Sequence, residues 1–526
     1  MPLHQPKRVA IIGGGSSGIS AFWALQHSTH DVRLFEASST LGGRIKTVPF
    51  EHNGNRVDVD TESLSFNAKA CPNLVSLLRH LRIETSEAPF CFGASDRTGS
   101  FSWHESILND IILQPWILFS LETYRTLMDT IWLKYMAIDV LADCSRFSKT
   151  KNTQRTCNTH AYLADEGYSN GFTDKYLTPL LSMLWKTNAS RLLPLLPVDA
   201  MVSCLNNHRL LYPRQARPQW RRLDTRATEF VQALTRGFPP EKIHLNTRIR
   251  EIRRFKEKQY SLIGADDQEM LFDHVILAVD GHEILNILGR CLDTEETSII
   301  QDLATSRNIA ILHSDPLLNL SCNPQWPASN YTTDPHSRYG HQCAISSHPT
   351  LPKSCLTYNV NMLQDLPTRL FGRVFITLNP FTPPHPGLVQ GIWEFTDVEP
   401  SVTSLYAQQC LPAIQNKQGL SYCYCWTGRG SLEDAITAGF SVAIEHLGAR
   451  MPFSVDYHVS PTDAGPSVFS LGLRGNLIRL VLRILSLYAL LLGLLFAFLR
   501  VVWGKTLSVT YYLGLRLPVI GSKKQV

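Results

Sequence analysis

Apolar residues near the amino terminus fall into short runs separated by polar turns. Val9–Ile12 and Val32–Phe35 are compact runs of strand-forming residues, and each predicts a buried strand. Between them Ile19–Gln26, with Ala21, Ala24 and Leu25, has helical character. Further along, Ile243–Arg250 and His274–Val279 read as strands on either side of a polar hairpin at Gly264-Ala265-Asp266-Asp267, with Asp273 just before the second. Tyr422–Trp426 reads as a last strand. Leu432–Leu447 reads as a helix with Glu433 and Asp434 in its first turn and Ala435, Ala438, Phe440 and Ala443 on its apolar side. The apolar stretch Ser106–Leu141, containing Trp116, Tyr124, Trp132 and Tyr135, predicts a helical pair beside a pocket. Ile484–Leu499 has no charge and is bracketed by Arg479, Arg483 and Arg500.

The first turn carries the most specific chemistry. Gly13-Gly14-Gly15-Ser16-Ser17-Gly18 stands between the first strand and the helix. In a dinucleotide site Gly13 permits the tight turn, Gly15 lets backbone approach a pyrophosphate and Gly18 lets helix pack on strand, with Ser17 in the same turn. Glu36 ends the second strand about 20 residues on, where a carboxylate meets ribose hydroxyls, and Ala37 follows it. A second glycine turn, Leu41-Gly42-Gly43-Arg44, adds a guanidinium whose fork matches phosphate oxygens. Asp58-Val59-Asp60 follows as a further strand.

Composition narrows the classes. A chain of 526 residues exceeds one ordinary core, and 44% hydrophobic against 18% charged residues describes a folded protein on the apolar side. The net charge of +5 includes no basic run suited to nucleic acid. None of the twelve cysteines forms a CxxC pair, so neither a metal site nor a disulfide framework is expected. Met1–Lys7 is polar, no signal peptide is expected, and the sequons at Asn188, Asn319 and Asn330 read as chance matches.

The Gly42-Gly43-Arg44 segment looks like a motif of flavin-containing amine oxidases. Over nearly all of residues 8–450 the chain resembles a bacterial and fungal family of FAD-binding oxidoreductases in that superfamily. The resemblance rests on Pro72-Asn73-Leu74, Trp185, Asn206-Asn207-His208-Arg209-Leu210-Leu211, Gln219-Trp220, Asn330-Tyr331, Asn361-Met362-Leu363-Gln364, Thr377-Leu378-Asn379-Pro380 and the closing Trp426-Thr427-Gly428-Arg429-Gly430-Ser431-Leu432-Glu433-Asp434.

It implies an α/β protein: a Rossmann-like FAD-binding domain of the amine oxidase type (1–83, 237–297 and 394–460), an α+β substrate domain (84–236, helical, and 298–393), and a C-terminal membrane helix in a tail at 461–526. It also implies that the backbone of Ile249 holds the adenine, that Leu432 and Glu433 meet the flavin, and that FAD is bound non-covalently. Asn207, His208 and Trp426 are the catalytic candidates. Relatives have a glycine and an aromatic where this chain has Glu62 and Ser63, a small residue at Tyr424, a small turn at Arg221-Arg222, and a histidine near Phe395.

The expected function is oxidation, by hydride removal, of an apolar lipid- or polyketide-like substrate, possible in secondary metabolism, with oxygen or another electron acceptor as oxidant. An FAD-dependent isomerase and a non-catalytic FAD-stabilised membrane protein are the alternatives, the second suggested by Glu62 and Tyr424. Attachment through residues 477–503 implies a membrane-associated protein with its catalytic part in the cytoplasm.

Overall fold

The computed structural model describes residues 5–62, 65–96, 102–104, 120–147, 158–185, 193–208, 210–211, 220–256, 259–265, 267–303, 305–316, 327–333, 354–425, 430–457 and 473–488, and single residues at 491, 495 and 498. A five-stranded sheet runs Ile243–His244, Asp31–Phe35, Arg8–Ile12, His274–Leu277 and Leu420–Tyr422, every neighbour parallel. Its strands come from three distant stretches of chain.

Strand alternation explains why these runs are apolar on both faces. Val9 and Ile11 join a core with Phe22, Phe230 and Phe440, formed mainly by the helices Ser16–Leu25, Ala227–Thr235 and Leu432–Leu447. Ala10 and Ile12 point the other way, into a core with Ile252, Tyr260 and Phe272 from a three-stranded antiparallel sheet.

A second sheet of seven strands has the order Val389–Val398, Thr305–His313, Phe375–Leu378, Ser354–Asn359, Ser329–Thr333, Phe92–Asp96 and Ser102–His104. All its pairs are antiparallel except Ser329–Thr333 with Phe92–Asp96. A helical core containing Phe172, Leu181 and Met201 packs beside it, also reaching Phe92.

Several expectations change. Ile243–Arg250 is two strands in two sheets: Ile243–His244 closes the parallel sheet and Ile249–Lys256 begins the antiparallel one. The chain turns between them at Asn246, whose φ of 52° is left-handed. The last strand stops at Tyr422, and Trp426 lies outside the described residues. Of the Ser106–Leu141 stretch, 106–119 lies outside them too, and from Leu121 onward it belongs to one helix, Leu121–Phe147. Arg221 and Arg222 are strand residues, the first donating to the Thr85 carbonyl at 2.5 Å and the second to Asp365 at 2.9 Å. Asn330 is buried with its amide on Ser95 Oγ at 3.2 Å, which leaves no room for a glycan. Asn188 and Asn319 lie outside the described residues.

The tail is helical over 473–488. Among the described residues no helix is long and apolar enough to cross a membrane, so the C-terminal membrane helix is not supported. Arg479 and Arg483 of this segment pair with Asp139 of the Leu121–Phe147 helix, which ties it to the folded body.

Candidate functional site

A cleft of about 640 Å3 runs between the two sheets, from the first glycine turn to the helical core. At its start the Arg8–Ile12 strand ends in Gly13, at φ 106°, whose N–H donates to the Phe35 carbonyl at 2.9 Å. A side chain there would stand 2.5 Å from the Ala278 carbonyl oxygen, and one at Gly18 would stand 1.9 Å from that of Gly13. Both positions therefore require glycine for close approach.

Gly15 differs. It caps the Ser16–Leu25 helix in extended conformation with no side-chain cap, and a Cβ added to it would meet nothing within 4 Å. The open space beside it is the cleft. The uncapped helix start, with Gly15, Ser16 and Ser17 in the cleft wall, presents N–H dipoles to an anion.

Glu36 also lines the cleft. Its Oε2 accepts from Gly14 N at 2.6 Å, and its Oε1 accepts from Ser38 N and Oγ at 2.8 and 2.7 Å. A carboxylate has about four acceptor positions, so one remains for a ribose hydroxyl. The second glycine turn lies against the first: Gly42 N donates to the Gly14 carbonyl at 2.9 Å, and Gly43 and Arg44 stand in the wall. These features fit a dinucleotide.

Arg44 is turned toward protein carboxylates. It forms an ion pair with Glu62, another with Asp397 at 2.5 Å, donates to the Thr396 carbonyl at 3.1 Å, and lies 4.3 Å over the Phe395 ring. Burial alone would lower its pKa, but Glu62 and Asp397 outweigh that and hold the guanidinium charged.

At the closing helix, Leu432 and Glu433 are in the wall, and Ser431 caps the helix by accepting from Asp434 N at 3.2 Å. The Glu433 carboxylate accepts from Asn73 N and Leu74 N, each at 2.8 Å, joining this helix to the first turn of Pro72–Leu81. Burial pushes Glu433 up to about 7 despite those two bonds, and pushes the Cys425 thiol up to about 12.

The far end is built of rings and aliphatic side chains. Phe90 stacks on Trp220 with centroids 4.4 Å apart, and Trp220 stacks on His208 at 5.7 Å. Leu184, Trp185, Ile376 and Leu378 complete that wall. Tyr358 also lines the cleft, near enough to Asp397, Glu62 and Arg44 to feel their charges, and its buried hydroxyl has no hydrogen-bond partner among the described residues. Burial raises the Tyr358 pKa far above the usual phenol value, so the group stays a proton donor.

The fold thus brings Gly13, Gly15, Ser17, Glu36, Gly43, Arg44, His208, Leu432 and Glu433 to one cleft. Gly18 and Gly42 support it from behind. Ala37 is exposed and outside the wall, and Asn207 ends the Val198–Asn207 helix without lining it. The Ile249 side chain is buried in the core beneath the antiparallel sheet, and its neighbour Arg248 reaches the wall. Sequence reasoning passed over Arg248, Tyr358 and Asp397. Tyr358 stands three residues before the Asn361-Met362-Leu363-Gln364 motif, the one signal that pointed near it.

Comparison with known proteins agrees with this geometry. Residues 11–81 match the NAD(P)-binding Rossmann-like domain, and residues 172–355 match the flavin containing amine oxidoreductase family. The L-amino acid oxidase of Bothrops pictus is 49% identical over 50 residues, 10% of each chain, so the match spans about a tenth of that relative. Cyclohexylamine oxidase from Brevibacterium oxydans has a similar structure, with TM-score 0.54 and 14% identity over 84% of this chain and 99% of that one. A CLA-producing fatty acid isomerase from P. acnes has TM-score 0.53 and 13% identity over 84% and 98%. At such identities the two structures speak to fold alone. With a dinucleotide cradle at the start of the cleft, these matches support a relation to the flavin-containing amine oxidoreductases, though neither family match spans half of the chain.

Proposed function

We propose that this chain oxidises an apolar lipid- or polyketide-like substrate by removing a hydride, in secondary metabolism, and that oxygen or another acceptor takes the electrons onward. The observation that carries this reading is the continuity of the cleft. One cavity joins the glycine cradle to a wall of Phe90, Leu184, Trp185, Trp220, Ile376 and Leu378. Apolar walls with a few polar groups bind apolar small molecules and fix their orientation.

FAD, when bound, supplies the hydride acceptor. The chain supplies position. Gly15, Ser16 and Ser17 would face the pyrophosphate, Glu36 the ribose, and the start of Leu432–Leu447 the ring. The Phe90–Trp220–His208 stack would exclude water and align the substrate. His208 is the candidate proton-handling group in that wall, and the Tyr358 hydroxyl can donate to a substrate oxygen.

A membrane source for the substrate is part of the proposal. Leu473, Leu477, Ile484 and Tyr488 of the tail helix are each more than half exposed, which suits a helix lying in a lipid surface with the catalytic body on the cytoplasmic side.

The test is anaerobic addition of lipid and polyketide extracts to the flavin-loaded protein while its visible absorbance is followed. Bleaching by an extract is the expected result and identifies the substrate class. Absence of bleaching by any of them, with turnover of a lipid double bond, would establish an isomerase instead.

A further inference from the structure

Glu62 stands just beyond the Asn55–Asp60 strand, in the cleft wall. Its carboxylate pairs with Arg44 from one side while Asp397 pairs with the same guanidinium from the other. Asp397 is itself fixed, because Asn308 Nδ2 donates to its second oxygen at 3.1 Å and Asn379 Nδ2 donates to Asn308 at 2.8 Å. Two carboxylates thus share the one guanidinium. Only 26% of the Arg44 side chain and 19% of that of Glu62 is exposed, so solvent screens their charges weakly.

Arg44 directly follows the turn that leans on Gly14 and Gly15, the part of the cleft shaped for a pyrophosphate. Its donor fork would suit that dianion, yet both sides of the fork are taken by carboxylates. We propose that Glu62 sets how tightly the chain holds FAD: it withholds the Arg44 guanidinium from the pyrophosphate, and its own charge opposes the same group. Neutralising Glu62 removes one of the two carboxylates that hold Arg44 and leaves its pairing with Asp397. Glu62 is thereby a determinant of cofactor occupancy, and the inference rests on the reading of the cleft as an FAD site.

The test is a fluorescence titration of apoprotein with FAD at fixed pH and ionic strength, using wild type, E62Q, E62G, R44Q and the double variant R44Q/E62Q, with thermal melts to show that each is folded. E62Q and E62G should each bind FAD about tenfold more tightly than wild type, a factor equivalent to about 1.4 kcal/mol. The part of the E62Q gain that comes from the released guanidinium should vanish in the R44Q background; a gain of the same size there would show that Arg44 is not withheld. Wild type binding FAD while folded E62Q and E62G bind it no more tightly would overturn the proposal and leave the FAD reading intact. Failure of every folded variant to bind FAD would overturn both.

Discussion

The two ends of the cleft are built by different means. At the glycine end the surface is backbone: Gly13, Gly15 and the first turn of Ser16–Leu25, within a motif six residues long. At the far end it is side chains, with Phe90, Trp185, Trp220 and Ile376 delivered from separate stretches of chain. A backbone surface tolerates no added atom where strand meets helix, whereas a surface of rings can lose one member and keep its outline. Shape is rigid at the first end and adjustable at the second.

The sharpest way to break this contrast is G18A. The new Cβ would lie 1.9 Å from the Gly13 carbonyl oxygen, so the helix must move off the strand. Unfolding should become easier by at least ~3 kcal/mol, with loss of bound flavin. A variant that melts like wild type and stays yellow would show that the turn is not the fixed element described above.

Next in size is the pH dependence of the seam between the ends. Glu433 is raised from 4.5 to about 7, chiefly by burial, so the fold favours its protonated form. Its contribution to stability is complete below about pH 4.5 and is lost as pH rises through about 7, on the order of 3 kcal/mol. Asp60, raised to about 6 mainly by burial, acts in the same direction. The melting temperature should fall across this window, and E433Q should flatten the fall; an equally steep profile in E433Q would assign it to other groups.

G15A sharpens the comparison from the opposite side. With nothing within 4 Å of the new methyl group, stability should change by less than about 0.5 kcal/mol. The methyl group enters the cleft, however, and FAD affinity should drop about tenfold, or ~1.4 kcal/mol. Unchanged affinity would mean that the pyrophosphate does not pass this point. The smallest effect on the cofactor is expected of W220A, which removes a ring whose stacking on Phe90 and His208 adds ~1 kcal/mol per pair beyond its burial. Flavin content should persist while an apolar substrate's KM rises, and a loss of flavin instead would place Trp220 on the cofactor.

The same difference decided what could be read in the sequence. Gly13 to Gly18, Glu36 and the Leu432–Leu447 helix were legible because short-range sterics and periodicity specify them. Ile243–Arg250 read as one strand because its apolar pattern is continuous, and only the left-handed Asn246 divides it between two sheets. Arg44 was identified as a cleft residue, but not its partner Asp397, which is 353 residues away. Likewise the Glu-Asp pair marked a helix start, while the hold of Glu433 on Asn73 and Leu74 depends on how two helices cross. The apolar tail suggested a spanning helix, and the pairing of Arg479 and Arg483 with Asp139 was not visible in a local pattern.

The central claim is that the cleft between the two sheets holds FAD. The most direct measurement is the absorbance spectrum of the purified protein, taken as isolated and again after incubation with FAD and removal of the excess. The account predicts flavin absorbance at one equivalent per chain, released on denaturation since attachment is non-covalent. A folded protein that stays colourless after incubation with FAD would contradict it.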